Sequence, residues 1–293
     1  MDDKILHLIG YACGSAGAEM GCHNGPNVLQ QSAYLTELTQ QPISYQWETL
    51  AKPESRSGKA FIQAYNLQLA IKVSDLVRQH HFFTVLGGDH SSAIGTWSGV
   101  YDACHQQGPL GLIWIDAHMD SHTPETTESG RIHGMPVATL LGYGYSELTS
   151  ILHYEPKVQP EHLCLIGVRS FEKGEADLLE QLHVRVFFMD EVKHYGIKAI
   201  LKEAITLVSK GTVGYGISID IDSLDPNDAP AVDVPEPNGI PAQELCDALS
   251  IMANDMRCLG AEIAEFNPHH DKNNQTEQWI IRLLAALARQ NAK

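Results

Sequence analysis

Leu110-Gly111-Leu112-Ile113-Trp114-Ile115-Asp116-Ala117-His118-Met119-Asp120 is an apolar run of strand length that stops at acids and an imidazole. Its apolar half does not alternate with polar residues, so it reads as a strand covered on both faces, as in a parallel sheet. Sheets of that kind collect ligands at the carboxyl ends of their strands. Asp116, His118 and Asp120 stand at such an end.

Seven further runs share this character: Ile5–Tyr11, Ile43–Leu50, Phe82–Leu86, Leu163–Val168, Val184–Met189, Gly214–Ile219 and Leu259–Phe266. Between them, helical spacing of apolar residues predicts a helix over Phe61–Val77, with Ile62, Tyr65, Leu69, Ile71 and Val73 around its stripe. The same spacing predicts helices over Ile197–Val208, Glu244–Met256 and Trp279–Ala288. Strands and helices alternate to the end, without a linker or internal repeat. The expectation is one α/β domain over residues 1–293, with right-handed crossovers placing helices on both faces.

A formal charge of -16 argues against nucleic acid or an anionic membrane as the main partner, and is compatible with a cationic small molecule. The six cysteines form no Cys-x-x-Cys pair, so free thiols in a reducing compartment are expected, with Cys164 in the core. No signal peptide and no run of transmembrane length is visible, which reads as cytoplasmic.

The other strand ends repeat the theme. Gly87-Gly88-Asp89-His90 follows one run, Asp220-Ile221-Asp222 another, and Glu265 follows the Leu259–Ala264 part of a third. Two divalent ions held close together repel, so they need anionic ligands, some of them shared. Imidazole adds preference for transition metals over calcium or magnesium. The i, i+2 spacing of Asp116, His118 and Asp120, and of Asp220 and Asp222, places alternate side chains on one side if the chain stays extended. Met119 and Ile221 then point into packing. Gly87 and Gly88 allow a tight turn before His90. Taken alone, Asp-x-Asp is a turn or cap, and Asp89 braces its loop or the His90 ring. Three such segments of mixed carboxylate and imidazole, all at strand ends, favour a dinuclear metal site.

Gly87-Gly88-Asp89-His90-Ser91, Asp116-Ala117-His118-Met119-Asp120 and Ser218-Ile219-Asp220-Ile221-Asp222-Ser223-Leu224-Asp225-Pro226 resemble the signature motifs of the arginase/agmatinase family of ureohydrolases. The resemblance runs nearly end to end. It implies a three-layer, doubly wound sheet of eight mostly parallel strands, two manganese ions per subunit, and hydrolysis of a guanidino group to urea and an amine. It implies that one ion takes His90, Asp116, Asp120 and Asp220 and the other His118, Asp116, Asp220 and Asp222, with Asp116 and Asp220 bridging. It also implies a homotrimer or homohexamer.

A guanidinium is a poor electrophile, and two metals sharing a water lower its pKa enough to supply hydroxide near neutral pH. Asp120 would accept a hydrogen bond from that nucleophile and relay its proton. The resemblance gives His133 the role of carrying a proton to the leaving amine; the bland alternative is a loop histidine that caps the next helix. Glu265, at a strand end, would pair the guanidinium.

The stretch from Asp120 to His133 resembles the arginase branch, which implies that Thr127 and Ser129 bind an α-carboxylate. His122 and Arg131 stand where that branch commonly has Asn; Arg131 either grips the carboxylate or faces solvent. Ser170 replaces a usual Asp, and Glu172, one methylene longer than the Asp expected there, would meet an α-amino group. The segment Ala231–Pro237 also departs from the family pattern. The resulting expectation is hydrolysis of L-arginine to L-ornithine and urea. Guanidinobutyrase, agmatinase or formiminoglutamase activity is the competing reading. A metal-binding scaffold without catalysis and a one-metal, deacetylase-like amide hydrolase are the readings from other classes; the presence of both Asp120 and Asp222 speaks against the latter.

Overall fold

Eight strands form one sheet: β1 (Ile5–Tyr11), β2 (Ser44–Glu48), β3 (Phe83–Gly87), β4 (Leu110–Ile115), β5 (Leu163–Val168), β6 (Arg185–Phe188), β7 (Gly214–Asp220) and β8 (Cys258–Ala264). The computed structural model describes residues 5–41, 43–53, 57–253 and 255–288. Every neighbouring pair is parallel, and the order across the sheet is β2-β1-β3-β8-β7-β4-β5-β6. The four strands whose ends carry the acids and imidazoles, β3, β8, β7 and β4, are therefore adjacent at the centre.

Pleating divides each buried strand between two cores. Leu6, Leu8, Ile113, Ile115, Ile217 and Ile219 pack on one face with the helices Ile197–Val208, Ala242–Leu249 and Gln275–Leu287. Ile9, Tyr11, Leu112, Trp114, Leu163 and Leu165 pack on the other, with the helices Lys59–Arg78 and Ser92–Cys104. The three-layer, doubly wound architecture follows. Near-continuous hydrophobicity is thus two interleaved period-2 patterns, each serving its own face.

Trp97 shows how closely the layers meet. A Cβ on Gly216 of β7 would lie 1.9 Å from the Trp97 ring, so only glycine admits that indole. Gly95 and Gly99, on the same helix, approach the backbone of Asn66 and Ala70, where a Cβ would come within 2.6 and 2.4 Å of their carbonyl oxygens. Asn66 reinforces the contact by accepting from Gly95 N at 2.7 Å and donating to the Tyr11 hydroxyl at 2.9 Å.

The expected helix Glu244–Met256 is shorter and earlier, Ala242–Leu249. Ser250 Oγ donates to the Asp247 carbonyl, and Met252 reaches the core from a turn, so its apolarity does not mark a helical stripe. Asn254 lies outside the described residues. Ile71, expected on the buried stripe of Lys59–Arg78, is 49% exposed. All six cysteines are buried, Cys164 among them. Among the described residues, no helix is long and apolar enough to cross a membrane.

Candidate metal centre

The glycines before His90 serve close approach. Neither Gly87 nor Gly88 has a positive φ, but a Cβ on Gly88 would lie 1.7 Å from the Cys13 carbonyl oxygen. Gly88 N and Asp89 N donate to the carbonyls of Tyr11 and Cys13 at 2.8 Å each, which ties the end of β3 to the loop leaving β1. Asp89 is fully buried and accepts from Ala16 N and from Ser91 N, so it braces this loop. Glu265 N donates to Gly88 O at 2.8 Å, which joins the end of β8 to the same place.

The i, i+2 pairs are brought together by turns, which corrects the expectation of extended chain. Asp116 Oδ1 accepts from His118 N at 2.7 Å, and Asp220 Oδ1 accepts from Asp222 N at 2.8 Å. Each Asp closes an Asx-type turn with one oxygen and keeps the other for the cluster. The backbone donor two residues on was free because β4 and β7 end there. Met119 and Ile221 are buried in the two cores, as expected.

The side chains meet in two groups. His90 Nδ1 lies 3.3 Å from Asp116 Oδ2, 3.1 Å from Asp120 Oδ2 and 3.0 Å from Asp220 Oδ2. His118 Nδ1 lies 2.9 Å from Asp222 Oδ2 and 3.5 Å from Asp116 Oδ1. The sets His90, Asp116, Asp220 and Asp116, His118, Asp222 each offer ligand atoms within 4.8 Å of one another, and Asp116 belongs to both. Trp114 Nε1 donates to Asp116 Oδ2 at 2.9 Å, which orients the shared carboxylate.

Packed this closely, the buried carboxyls oppose one another's ionisation. Burial together with Asp222 and Asp116 pushes Asp220 well above the usual carboxylate range. Burial and Asp116 push Asp120 up to about 7. Burial works against the charge on His90, yet Asp116, Asp120 and Asp220 hold its imidazole well above its ordinary range. His90 Nδ1 nevertheless has no hydrogen-bond partner, although three carboxylate oxygens surround it. An orphaned, buried nitrogen facing carboxylates, beside a second such group, fits a pair of divalent cations. Mixed nitrogen and carboxylate donors suit a transition ion such as manganese.

Beside this cluster opens a cleft of about 330 Å³, lined among others by Asp120, His122, Thr127, Ser129, Arg131, His133, Glu172 and Glu265. His133 Nδ1 is 3.0 Å from Glu265 Oε1, which also accepts from His90 N at 2.8 Å. Burial opposes the charge on His133, but Glu265 outweighs it and the imidazole is pushed up to about 9. Asp120 and Glu265 both occupy left-handed backbone, with φ of 49° and 67°.

The far wall differs from the simple assignment of every polar group to substrate. His122 Nε2 contacts Glu172 Oε2, and His122 Nδ1 is 3.1 Å from Thr126 Oγ1. Thr127 Oγ1 accepts from Gly130 N at 3.0 Å and Ser129 Oγ from Arg131 N at 3.3 Å, so both hydroxyls also shape their own loop. Arg131 is exposed at the rim. Ser170, Glu175 and Glu236 line the cleft as well. Glu175 pairs with Glu172 in a capping box, a signal readable in Glu172-Lys173-Gly174-Glu175. Glu236, in the segment that departs from the family pattern, lies 3.7 Å from His118 Nε2. Arg169 clamps two site loops by donating to the carbonyls of Asp222 at 2.7 Å and Glu236 at 2.9 Å. Nothing in its local sequence separates it from a surface arginine.

The Arginase family model matches residues 4–289. The chain belongs to the arginase family. It is 43% identical to the arginase of Brevibacillus brevis, over 97% of this chain and 98% of that one, and 37% identical to the arginase of Bacillus caldovelox over the same shares. Its fold superposes on the crystal structure of Bacillus subtilis arginase with a TM-score of 0.90 at 33% identity, covering 99% of this chain and 100% of that one. As a member of the arginase family, it is a hydrolase of the ureohydrolase type.

Proposed function

We propose that this chain hydrolyses the guanidino group of L-arginine, giving L-ornithine and urea, with two manganese ions per subunit. The observation that carries the reading is the pair of ligand groups sharing Asp116, beside a cleft that His118, Asp120, Asp220 and Asp222 line together with Thr127, Ser129 and Arg131. Relatives named arginase, matched along nearly their whole length, support the choice of arginine.

His90, Asp116, Asp120 and Asp220 would hold one ion, and His118, Asp116, Asp220 and Asp222 the other. When bound, the ions would lower the pKa of a shared water and so supply hydroxide at neutral pH. Asp120, whose carboxylate lines the cleft, would accept a hydrogen bond from the nucleophile and relay its proton. His133, pushed up to about 9 and held through Nδ1 by Glu265, carries the proton that the leaving amine needs. Glu265 also places negative charge beside the guanidinium. Thr127, Ser129, Arg131 and His122 would meet the α-carboxylate and Glu172 the α-amino group. Residues 1–293 would form one catalytic domain, cytoplasmic and assembled as a homotrimer or homohexamer.

A second reading has a specific observation in its favour. The contact between Glu172 and His122 engages the carboxylate that would read an α-amino group, which suits a guanidino acid lacking that amine, such as guanidinobutyrate. Urea release from arginine, agmatine and guanidinobutyrate, measured side by side on the manganese-loaded protein, separates the readings. The expected order places arginine first. Faster turnover of agmatine rejects the α-carboxylate role of Thr127, Ser129 and Arg131; faster turnover of guanidinobutyrate rejects the α-amino role of Glu172. Binding of two ions without turnover of any guanidino compound would leave a metal-binding scaffold.

A further inference from the structure

Glu262 is a fully buried carboxylate that the reaction above does not use. It stands on β8, beneath the helix Ser92–Cys104, on the face opposite the one that packs Ile263. Its hydrogen bonds come from three hydroxyls. Ser92 Oγ and Thr96 Oγ1 donate to Oε1, the latter at 3.2 Å, and Ser218 Oγ donates to Oε2 at 2.8 Å. A buried carboxylate costs free energy that a packed apolar side chain does not, so its presence calls for a task.

Proton counting supplies one. Ser218 has a single hydroxyl proton, and with Glu262 ionised by its three hydroxyl donors that proton goes to the carboxylate. Ser218 Oγ also lies 2.9 Å from His90 Nε2. With its proton committed, the oxygen can only accept, so His90 Nε2 must donate. The ring then has Nδ1 as the nitrogen able to give up its proton, and Nδ1 is the atom that faces Asp116, Asp120 and Asp220. Trp114 stacks on the ring, with centroids 4.2 Å apart and planes at 17°, and fixes its plane. A ring turned over would set carbon against the Ser218 hydroxyl.

We propose that Glu262 and Ser218 are positioning residues for the metal ligand His90: together they lock the proton on Nε2 and so present Nδ1 to an ion. This rests on the two-ion reading of the site. Partners of this kind orient a ligating histidine and raise its basicity, and their loss typically lowers metal affinity by about 10–100-fold.

The test is calorimetric titration of the metal-free full chain with manganese(II). Wild type is expected to take up two ions. Ser218→Ala and Glu262→Met should each lose about 10–100-fold in affinity for one ion and leave the other unchanged. Glu262→Gln keeps an oxygen to accept the Ser218 proton, and should stay close to wild type; a purely structural role for the carboxylate charge predicts no such rescue. Circular dichroism of the metal-free proteins checks that folding is retained. Should Glu262→Met fail to fold, Ser218→Ala and nitrogen NMR of the zinc-loaded wild type carry the test. There the His90 signals, identified by their loss in His90→Asn, should show the proton on Nε2. Wild-type affinities for both ions in folded Ser218→Ala, or a proton on Nδ1, overturn the inference and leave the two-ion site standing. Uptake of at most one ion by wild type removes the two-ion site itself, and this inference with it.

Discussion

A carboxylate has two oxygens, and at Asp116 and Asp220 one closes a turn while the other faces His90. The residue types and the i, i+2 spacing were visible in the sequence, because chemistry of this kind restricts both. The turns were legible only as the ordinary reading of a lone Asp-x-Asp; that turn and cluster share the same carboxylates was not, because the donors are backbone groups freed only by where each strand ends. His122 and Glu172 illustrate the same limit: each reads as a substrate contact, and their engagement with one another depends on two loops meeting in space. At this scale His133 gives the sharpest expectation. His133→Asn should lower kcat on arginine by about 100-fold or more, the usual worth of a positioned acid–base group. KM should change little, because in the proposed role the group would act on the leaving amine. Steady-state urea release measures both, and an unchanged kcat would assign His133 to its loop alone.

Between elements, the helix Ser92–Cys104 was the largest feature that escaped the sequence pattern. A helix buried on all sides has no polar face and therefore no period to read; Ser92, Gly95, Thr96 and Ser98 are buried here together with Ile94 and Trp97. Its neighbour Lys59–Arg78 has an exposed face and was legible, although Ile71 was placed on the wrong side of it. Asp102 fastens the two helices, accepting from Ser74 Oγ at 2.6 Å and Arg78 Nη2 at 2.7 Å, and it also meets His153 Nε2 at 2.7 Å. Burial pushes the Asp102 carboxyl up, but Ser74, His153 and Arg78 together hold it below the ordinary carboxylate range. A group so lowered contributes stability that is fully present above its unfolded pKa of about 4 and is lost as pH falls through its folded value. Asp102→Asn should therefore cost about 1–2 kcal/mol at pH 7, and the penalty should shrink steadily below a pH of about 4. Urea unfolding of both proteins across that range measures it; a penalty independent of pH would remove the carboxylate from the account.

For the molecule as a whole, the eight strands were legible from their hydrophobic runs, whereas their order was not. Pairing across β3, β8, β7 and β4 joins segments far apart in the chain, and a local pattern holds no record of its neighbour. That order is what gathers four strand ends, and with them Asp116, Asp120, Asp220 and Asp222, around one point. The metal-free fold holds these like charges together at a cost that bound cations relieve. Manganese(II) at about 1,000 times its dissociation constant should stabilise the fold by about 4 kcal/mol per site, and a chelator should reverse the gain. Thermal unfolding with and without the ion tests this, and a melting temperature indifferent to manganese would exclude tight binding to the folded state.

Asp120 and Glu265 carry one last implication. Both hold backbone shapes that side chains disfavour, each at a cost of roughly 1 kcal/mol or more. Glycine at either position would relieve the backbone, but at Glu265 it would also strip the acceptor from His90 N and His133 Nδ1, a loss that offsets the relief.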